Sequence, residues 1–390
     1  MEGPQSVRKP SIWQCGKRKR WCIVAVIGLI VFLALLFALL GVFVFTRLAT
    51  SGQHGASAQG NWNLHHFPRK TLPISLGSDS RLSIIQKARD KTVGSVDIDG
   101  VVTVQTSASG TPATVDLDVS STDKDLNVDL EFDETRREVK IITPPGLDFA
   151  KPRLRIRATV RVPGESCLEL LNINTIQLSV DIQEGLLTCA TPKATTTLDV
   201  RSISGELKIK EPLDRLAKAD STEKTSLRDY IVKMETTSGD INVDLIMIGS
   251  KAQFNSTSGN FVLRLLPVLN STYLESNGLH PALKTGTTSG RTDIALLDPV
   301  WIGTKSNTRA LSNLDSSHSS TSGNIKLRYP SSWEGKLSSS STSGSHTIRG
   351  KGLNFNHNHE KSAEGQKGHG SLTLRIETLS GNQDVLVGDE

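Results

Sequence analysis

The residue types best suited to chemistry in this sequence come in alternating rows. Asp97-Ile98-Asp99 and Asp116-Leu117-Asp118 have the Asp-x-Asp form that glycosyltransferases use to hold a metal–nucleotide sugar. Asp129, Glu131 and Asp133 extend the acidic pattern, and Arg153, Arg155, Arg157 and Arg161 form a basic one. Carboxylates paired at a fixed separation would support polysaccharide hydrolysis or elimination. Converging carboxylates would bind calcium, which needs about 6–8 oxygen ligands. His357, His359 and His369, in a polar loop over residues 351–370, would bind a transition metal if they met, and His65-His66 is a weaker signal of the same kind. Each chemistry needs convergence, and none of these spacings enforces it. Side chains at every second residue share one strand face and are spread apart along it. The simpler expectation is a cross-strand ladder, with acidic and basic rows on neighbouring strands, each pair contributing about 0.2–1 kcal/mol. No catalytic, cofactor-binding or metal-binding residue is therefore assigned.

The elements that must carry these rows are strands. Val96 to Gly100, Val115 to Val119, Leu126 to Asp133 and Leu154 to Arg157 alternate strictly between apolar and polar residues. A short phrase, Ser/Thr-Ser-Gly followed by alternation, then recurs with its glycine at Gly205, Gly239, Gly259, Gly290, Gly323, Gly344 and Gly381. Each copy reads as strand, tight bend, strand, with the glycine supplying a positive φ. The intervals between glycines are 34, 20, 31, 33, 21 and 37 residues. The short intervals predict single coils and the long ones coils carrying loops, in a stack whose Ser and Thr hydroxyls bond along the axis. Leu213 to Ala219 is a helical excursion, and Asp384 to Val387 is expected to cap or edge the stack. The fold class is all-β: a β-solenoid or β-helix-like ectodomain, with a β-sandwich as the alternative.

Ahead of this domain lies an anchor. Ile23 to Phe45 is an unbroken apolar run, about 34 Å long as a helix and so long enough to span a bilayer. It exceeds the apolar core of a cleaved signal peptide. Six basic residues precede it and only Arg47 closely follows, which places the N-terminus in the cytoplasm and the bulk outside: a type II single-pass protein of the plasma membrane. The segments are a basic tail (1–22), a transmembrane helix (23–46), a flexible stalk (47–75) and the β-repeat ectodomain (76–390). The net charge of +5 belongs to the tail. Of 45 Lys/Arg, seven lie at or before Arg47, and of 40 Asp/Glu one does, leaving 38 against 39 in a near-neutral remainder. That balance gives no reason to expect nucleic-acid binding.

Outside the membrane, Asn255-Ser256-Thr257 and Asn270-Ser271-Thr272 are glycosylation sequons. Cys167 and Cys189 lie 22 residues apart, close to one repeat, and are expected to pair as a disulfide. Cys15 and Cys22 sit at the cytoplasmic membrane edge, either palmitoylated or free.

The Thr-Ser-Gly-x-apolar-x-apolar repeats resemble the adhesin-type repeat domains of bacterial and fungal surface proteins, well over Ser202 to Val387 and loosely over Val93 to Ile182. A basic tail, one helix and this repeat domain are together similar to single-pass membrane proteins of filamentous fungi. The resemblance implies a β-solenoid and carries over no catalytic residues. The sequence thus points to a non-enzymatic protein, without cofactor, for adhesion or for contact with cell-wall polysaccharide or a surface protein. A polysaccharide lyase or hydrolase on a β-helix, and a type II glycosyltransferase, are the alternatives.

Overall fold

The computed structural model describes residues 64–388 apart from 79, 90–95, 145–151, 165, 167, 184, 187–194, 211–228, 271–280 and 303–310. The expected membrane helix, the cysteines at positions 15, 22, 167 and 189, and the helical candidate 213–219 lie outside the described residues. Among the described residues every regular element is a strand, and no helix is long and apolar enough to cross a membrane.

The strands form two large sheets. In spatial order the first contains β1 (His65–His66), β5 (Thr114–Ser121), β8 (Arg153–Pro163), β4 (Asp97–Ser107), β10 (Ser179–Ile182), β12 (Leu207–Ile209), β14 (Ile241–Ile248), β16 (Phe261–Asn270), β18 (Thr292–Leu296), β21 (Ile325–Tyr329), β27 (Gln383–Val387) and β23 (His346–Arg349). Off this path, β2 (Lys70–Pro73) pairs with β5, and β19 (Val300–Ile302) with β16. The second sheet runs β24 (Leu353–His359), β25 (Ser362–Lys367), β22 (Gly335–Ser341), β26 (Thr373–Thr378), β20 (Asp315–Ser320), β17 (Ala282–Thr287), β15 (Lys251–Ser256), β13 (Tyr230–Thr236), β11 (Thr196–Ser202), β9 (Leu170–Thr175), β3 (Arg81–Ala88), β7 (Glu138–Thr143) and β6 (Asp129–Asp133).

Each repeat gives one strand to the second sheet, turns through its Ser-Gly bend, and gives the next strand to the first. Neighbouring repeats pair in parallel and in register, as in Val232↔Ala252 and Ile241↔Phe261. The alternation of the sequence maps onto this directly. Tyr230, Val232 and Met234 of β13 are buried while the residues between them are half exposed, and Leu207 and Ile209 are buried around exposed Lys208. Inward residues of both sheets meet in one core cluster.

Several expectations need correction. Residues 64–75, placed in the stalk, include β1 and β2, which pair antiparallel with β5. The stretch 351–370, read as a loop, is largely the β24–β25 hairpin. The 21-residue interval from Gly323 to Gly344 does not join neighbouring repeats. The C-terminal repeat, β26 and β27, is inserted between them, so that β27 lies between β21 and β23 rather than at the edge.

Candidate functional site

The Ser-Gly bends are built for contact between repeats. None of the seven glycines has a positive φ; among the described residues the glycines that do are Gly77, Gly100, Gly110, Gly185, Gly352, Gly368 and Gly388. The expectation of a left-handed bend is wrong, and the real requirement is closeness. A Cβ on Gly239, Gly259, Gly290 or Gly323 would lie 2.0, 1.8, 1.8 or 1.8 Å from the carbonyl oxygen of the preceding repeat glycine. The same holds for Gly381 on Gly323 at 1.9 Å and Gly344 on Gly381 at 2.0 Å.

The other positions of the phrase serve the same contact. In six copies the Ser or Thr three residues before the glycine accepts its N–H, as Thr236 Oγ1 does from Gly239 at 2.9 Å and Ser256 Oγ from Gly259 at 2.7 Å, whereas Thr378 Oγ1 donates to the Gly381 carbonyl at 2.8 Å. The serine before the glycine donates its hydroxyl across to the neighbouring repeat: Ser258 to the Thr237 carbonyl at 3.2 Å, Ser322 to that of Thr288 at 3.1 Å. Its own N–H bonds to the same carbonyl, at 2.9 Å and 2.8 Å in those two cases. The residue after the glycine forms a further ladder that the sequence reading missed. Asp240 Oδ1 accepts the Asn260 N–H at 2.7 Å, Asn260 Oδ1 that of Arg291 at 3.0 Å, and Asn324 Oδ1 that of Asn382 at 2.9 Å. Its visible trace was Asp or Asn after Gly in four copies: Asp240, Asn260, Asn324 and Asn382.

The bend between β9 and β10 lacks glycine. Thr175-Ile176-Gln177-Leu178 occupies the same place, and Gly205 packs on the Leu178 carbonyl, 2.1 Å from where its Cβ would be. Gln86, buried in β3 beside β9, caps this bend. Its Oε1 accepts the N–H groups of Ile176, Gln177 and Leu178 at 2.9, 3.0 and 3.2 Å. Gln86→Ala should leave these donors unmatched and cost about 3 kcal/mol. Hydrogen exchange should quicken at 176–178 in this variant; unchanged protection there would refute the capping role.

The charged rows form the expected ladder in part. Arg153 pairs with Asp97 at 3.1 Å and Arg155 with Asp99 at 3.4 Å across β8 and β4. On the other side of β8, Asp116 of β5 gathers Arg161, Arg69 at 2.5 Å and the Thr71 hydroxyl at 2.6 Å. Burial raises the Asp116 carboxyl, but the bonds from Thr71, Arg161 and Arg69 outweigh it and hold it below its ordinary 3.8. Asp116→Asn should cost about 2 kcal/mol at pH 7. Because the folded value is depressed, that difference is complete above about pH 4 and fades as the pH falls through it. The gap between the urea midpoints of the two proteins should narrow steadily as the pH is lowered below 4; a constant gap would show that the charge is not what matters. Asp129, Glu131 and Asp133 do not face the arginines, because β6 lies in the second sheet, where Glu131 opposes Lys140.

Between these rows and the repeats, the outer face of the first sheet holds a depression of about 410 Å³. It crosses β8, β4, β10 and β12, and its charged lining is Asp99, Arg155, Arg157, Asp181, Glu206 and Lys208. Lys208 bonds Glu206 at 2.7 Å, and this bond, against the opposing effect of burial, raises the lysine above its usual value. Arg157 is exposed and opposes Asp118 in register without forming an ion pair with it. Asp181 bonds Gln183 through Oδ2 at 2.6 Å, while its Oδ1 is buried without a partner.

The remaining sites singled out by sequence are scattered. His357 and His359 have ring centroids 4.3 Å apart, whereas His369 is held through its backbone N–H by Glu334. Among the described residues no group of three His, Cys, Asp or Glu is placed to hold a metal ion. Asn255 lies in β15, within the second sheet, and its Nδ2 donates to Glu235 at 3.2 Å. Asn270 is the last residue of β16.

No family model matches this chain, and no curated protein matches it. Similar solved structures include a proposed cell-adhesion protein from Clostridium sporogenes, 10% identical with a TM-score of 0.22, the match covering 82% of this chain and 98% of that one. Another is a proposed adhesin from Parabacteroides distasonis, 10% identical with a TM-score of 0.37, covering 83% and 98% respectively.

Proposed function

We propose that this chain is a membrane-anchored, non-catalytic protein whose repeat domain is a β-solenoid displayed outside the cell for adhesion. The solenoid reading rests on parallel pairing of successive repeats in both sheets. The anchor reading rests on the apolar run Ile23 to Phe45 and its basic flank, with the N-terminus cytoplasmic in the plasma membrane. Glycans at Asn255 and Asn270 and a Cys167–Cys189 disulfide belong to the same extracytoplasmic assignment.

The observation that carries the binding reading is the depression on the first sheet. It offers exposed Arg157, which forms no ion pair among the described residues, beside Asp181, on a face that no described strand covers. The guanidinium suits carboxylate or sulfate groups. The ligand class is accordingly an anionic cell-wall polysaccharide. The test incubates the protein with insoluble wall polysaccharides, with and without chelator, and assays bound protein and released sugar. The expected result is binding without release, weakened by Arg157→Glu. Released oligosaccharide would replace this reading with a polysaccharide-active enzyme. Binding that Arg157→Glu leaves intact would remove the depression as the contact.

A further inference from the structure

On the outer face of the first sheet, beyond β14 from the depression, outward residues of five strands share one register. Arg264 of β16 faces Ala295 of β18, Ala295 faces Arg328 of β21, Arg328 faces Leu386 of β27, and Leu386 faces Arg349 of β23. Each of the first four lies between buried neighbours, as Arg264 does between Leu263 and Leu265, and Arg328 between Leu327 and Tyr329. The result is a single file across the sheet, with an exposed arginine on every second strand and a half-buried Ala295 or Leu386 between. Neighbouring strands lie about 4.8 Å apart, so the arginine positions recur about every 10 Å. The file stops at β14, whose pairing with β16 shifts register between Val243 and Ile246. Carboxylates in the row beside it are already committed, Asp293 to Arg291 and Lys326, and Asp384 to Arg349. Arg264 and Arg328 form no ion pair among the described residues.

We infer that this file is a binding track for an extended anionic polysaccharide that carries one acid group on every second sugar. Unmatched guanidinium groups along one line repel each other and are stabilised by oxyanions, which each can hold through paired N–H donors. The step between them selects the polymer. In an extended β-linked chain of this kind the acid groups recur once per disaccharide, and two sugar rings in line span about the length of two strand spacings. The neutral sugar in between rests its C–H face on Ala295 or Leu386, whose short apolar side chains leave it room. A nucleic-acid strand carries a phosphate about every 3.4 Å, roughly three for each arginine, so most of its charge would go unmatched. A bilayer presents its headgroups over a plane, whereas these cations lie in one line. The track takes the same chemical class of ligand as the depression but none of its residues, since Arg157 lies on β8 and β14 separates the two surfaces.

The test measures binding of defined hexasaccharides to the full-length chain in neutral detergent by titration calorimetry. One arm uses hyaluronan, with a carboxylate on every second sugar; another uses keratan sulfate carrying one sulfate per disaccharide; chitohexaose is the neutral control. Comparison of the two acidic arms shows which oxyanion the arginines prefer. The expected result is binding of an acidic hexasaccharide and none of chitohexaose. Shortening the better ligand to a tetrasaccharide, which reaches only two of the arginines, should weaken binding about tenfold, and so should Arg328→Ala. Ala295→Glu sets a carboxylate between Arg264 and Arg328 and should abolish binding. Both substitutions fall on outward positions, and unchanged urea midpoints would show that the fold is kept. Arg157→Glu should leave hexasaccharide binding as it was. The track is refuted if neither acidic hexasaccharide binds, or if Arg328→Ala and Ala295→Glu leave the affinity unchanged. Binding lost in Arg157→Glu but kept in Arg328→Ala would place the contact in the depression and equally refute the track. Tighter capture of phosphatidylserine vesicles or of oligothymidylate through the same arginines would replace the polysaccharide with a membrane or a nucleic acid.

Discussion

Replacing Gly290 by alanine is expected to destabilise the repeat domain by about 3 kcal/mol or more. The added methyl carbon would sit 1.8 Å from the Gly259 carbonyl oxygen, and that atom is backbone, so no rotamer change relieves the clash. The two repeats must separate there. Separation stretches the Ser289 N–H bond to the Thr257 carbonyl, now 3.0 Å, and the Arg291 N–H bond to Asn260, also 3.0 Å. The control is Gly286→Ala in the same repeat. Its Cβ would meet Asn255 Oδ1 at 3.3 Å and Ser319 Oγ at 3.5 Å, both ends of side chains on the outer sheet face. That change should cost less than about 1 kcal/mol, and the loss of unfolded-state freedom offsets part of it. Urea unfolding of the two variants decides the matter. Equal midpoints would show that the glycines are not spacers between repeats.

The second large effect is a loss of stability in acid centred on His318. This side chain is wholly buried between β17 and β26, its Nδ1 2.8 Å from Thr285 Oγ1 and its Nε2 2.8 Å from the Tyr329 hydroxyl. The Tyr329 ring stands edge-on to it at 6.1 Å and packs likewise on buried Trp333 at 6.0 Å. Burial pushes the imidazole down from 6.5 to about 3 and raises the Tyr329 hydroxyl. A depressed folded value means that the unfolded chain takes up the proton first. The contribution is therefore complete above pH 6.5 and is lost progressively as the pH falls from 6.5 towards 3. The slope is about 1.4 kcal/mol per pH unit, so some 2–3 kcal/mol is gone by about pH 4.5. His318→Gln keeps a donor and an acceptor but does not titrate. It should be less stable than the parent at pH 7, where the imidazole fits its partners better, and lose less between pH 7 and pH 4.5. Parallel stability curves for the two proteins would exclude His318 as the source.

Much of this architecture was legible in the residues. Strict alternation in Leu154 to Arg157 and Leu207 to Ile209 states which side chains turn inward, because a strand's faces alternate with a period of two. The Ser-Gly phrase marks the bends, and the opposed charges of Asp97 with Arg153 and Asp99 with Arg155 mark a true ladder. These signals are local: each depends on residues within one strand or one bend. What the sequence misjudged was the purpose of the glycine. Crowding by a carbonyl some 20 to 58 residues away leaves no local trace distinguishable from a positive φ.

The same reason sets the wider division. The sequence by itself determined an all-β chain, the inward and outward residues and the places where it bends. Only the tertiary structure decided which repeat lies on which. The repeats carry nearly the same phrase, so many pairings satisfy the same backbone bonds, and order must come from the summed packing of non-local contacts. That sum put Gln86 under the bend between β9 and β10, β6 in the second sheet away from the arginines, and the repeat of β26 and β27 between two that precede it.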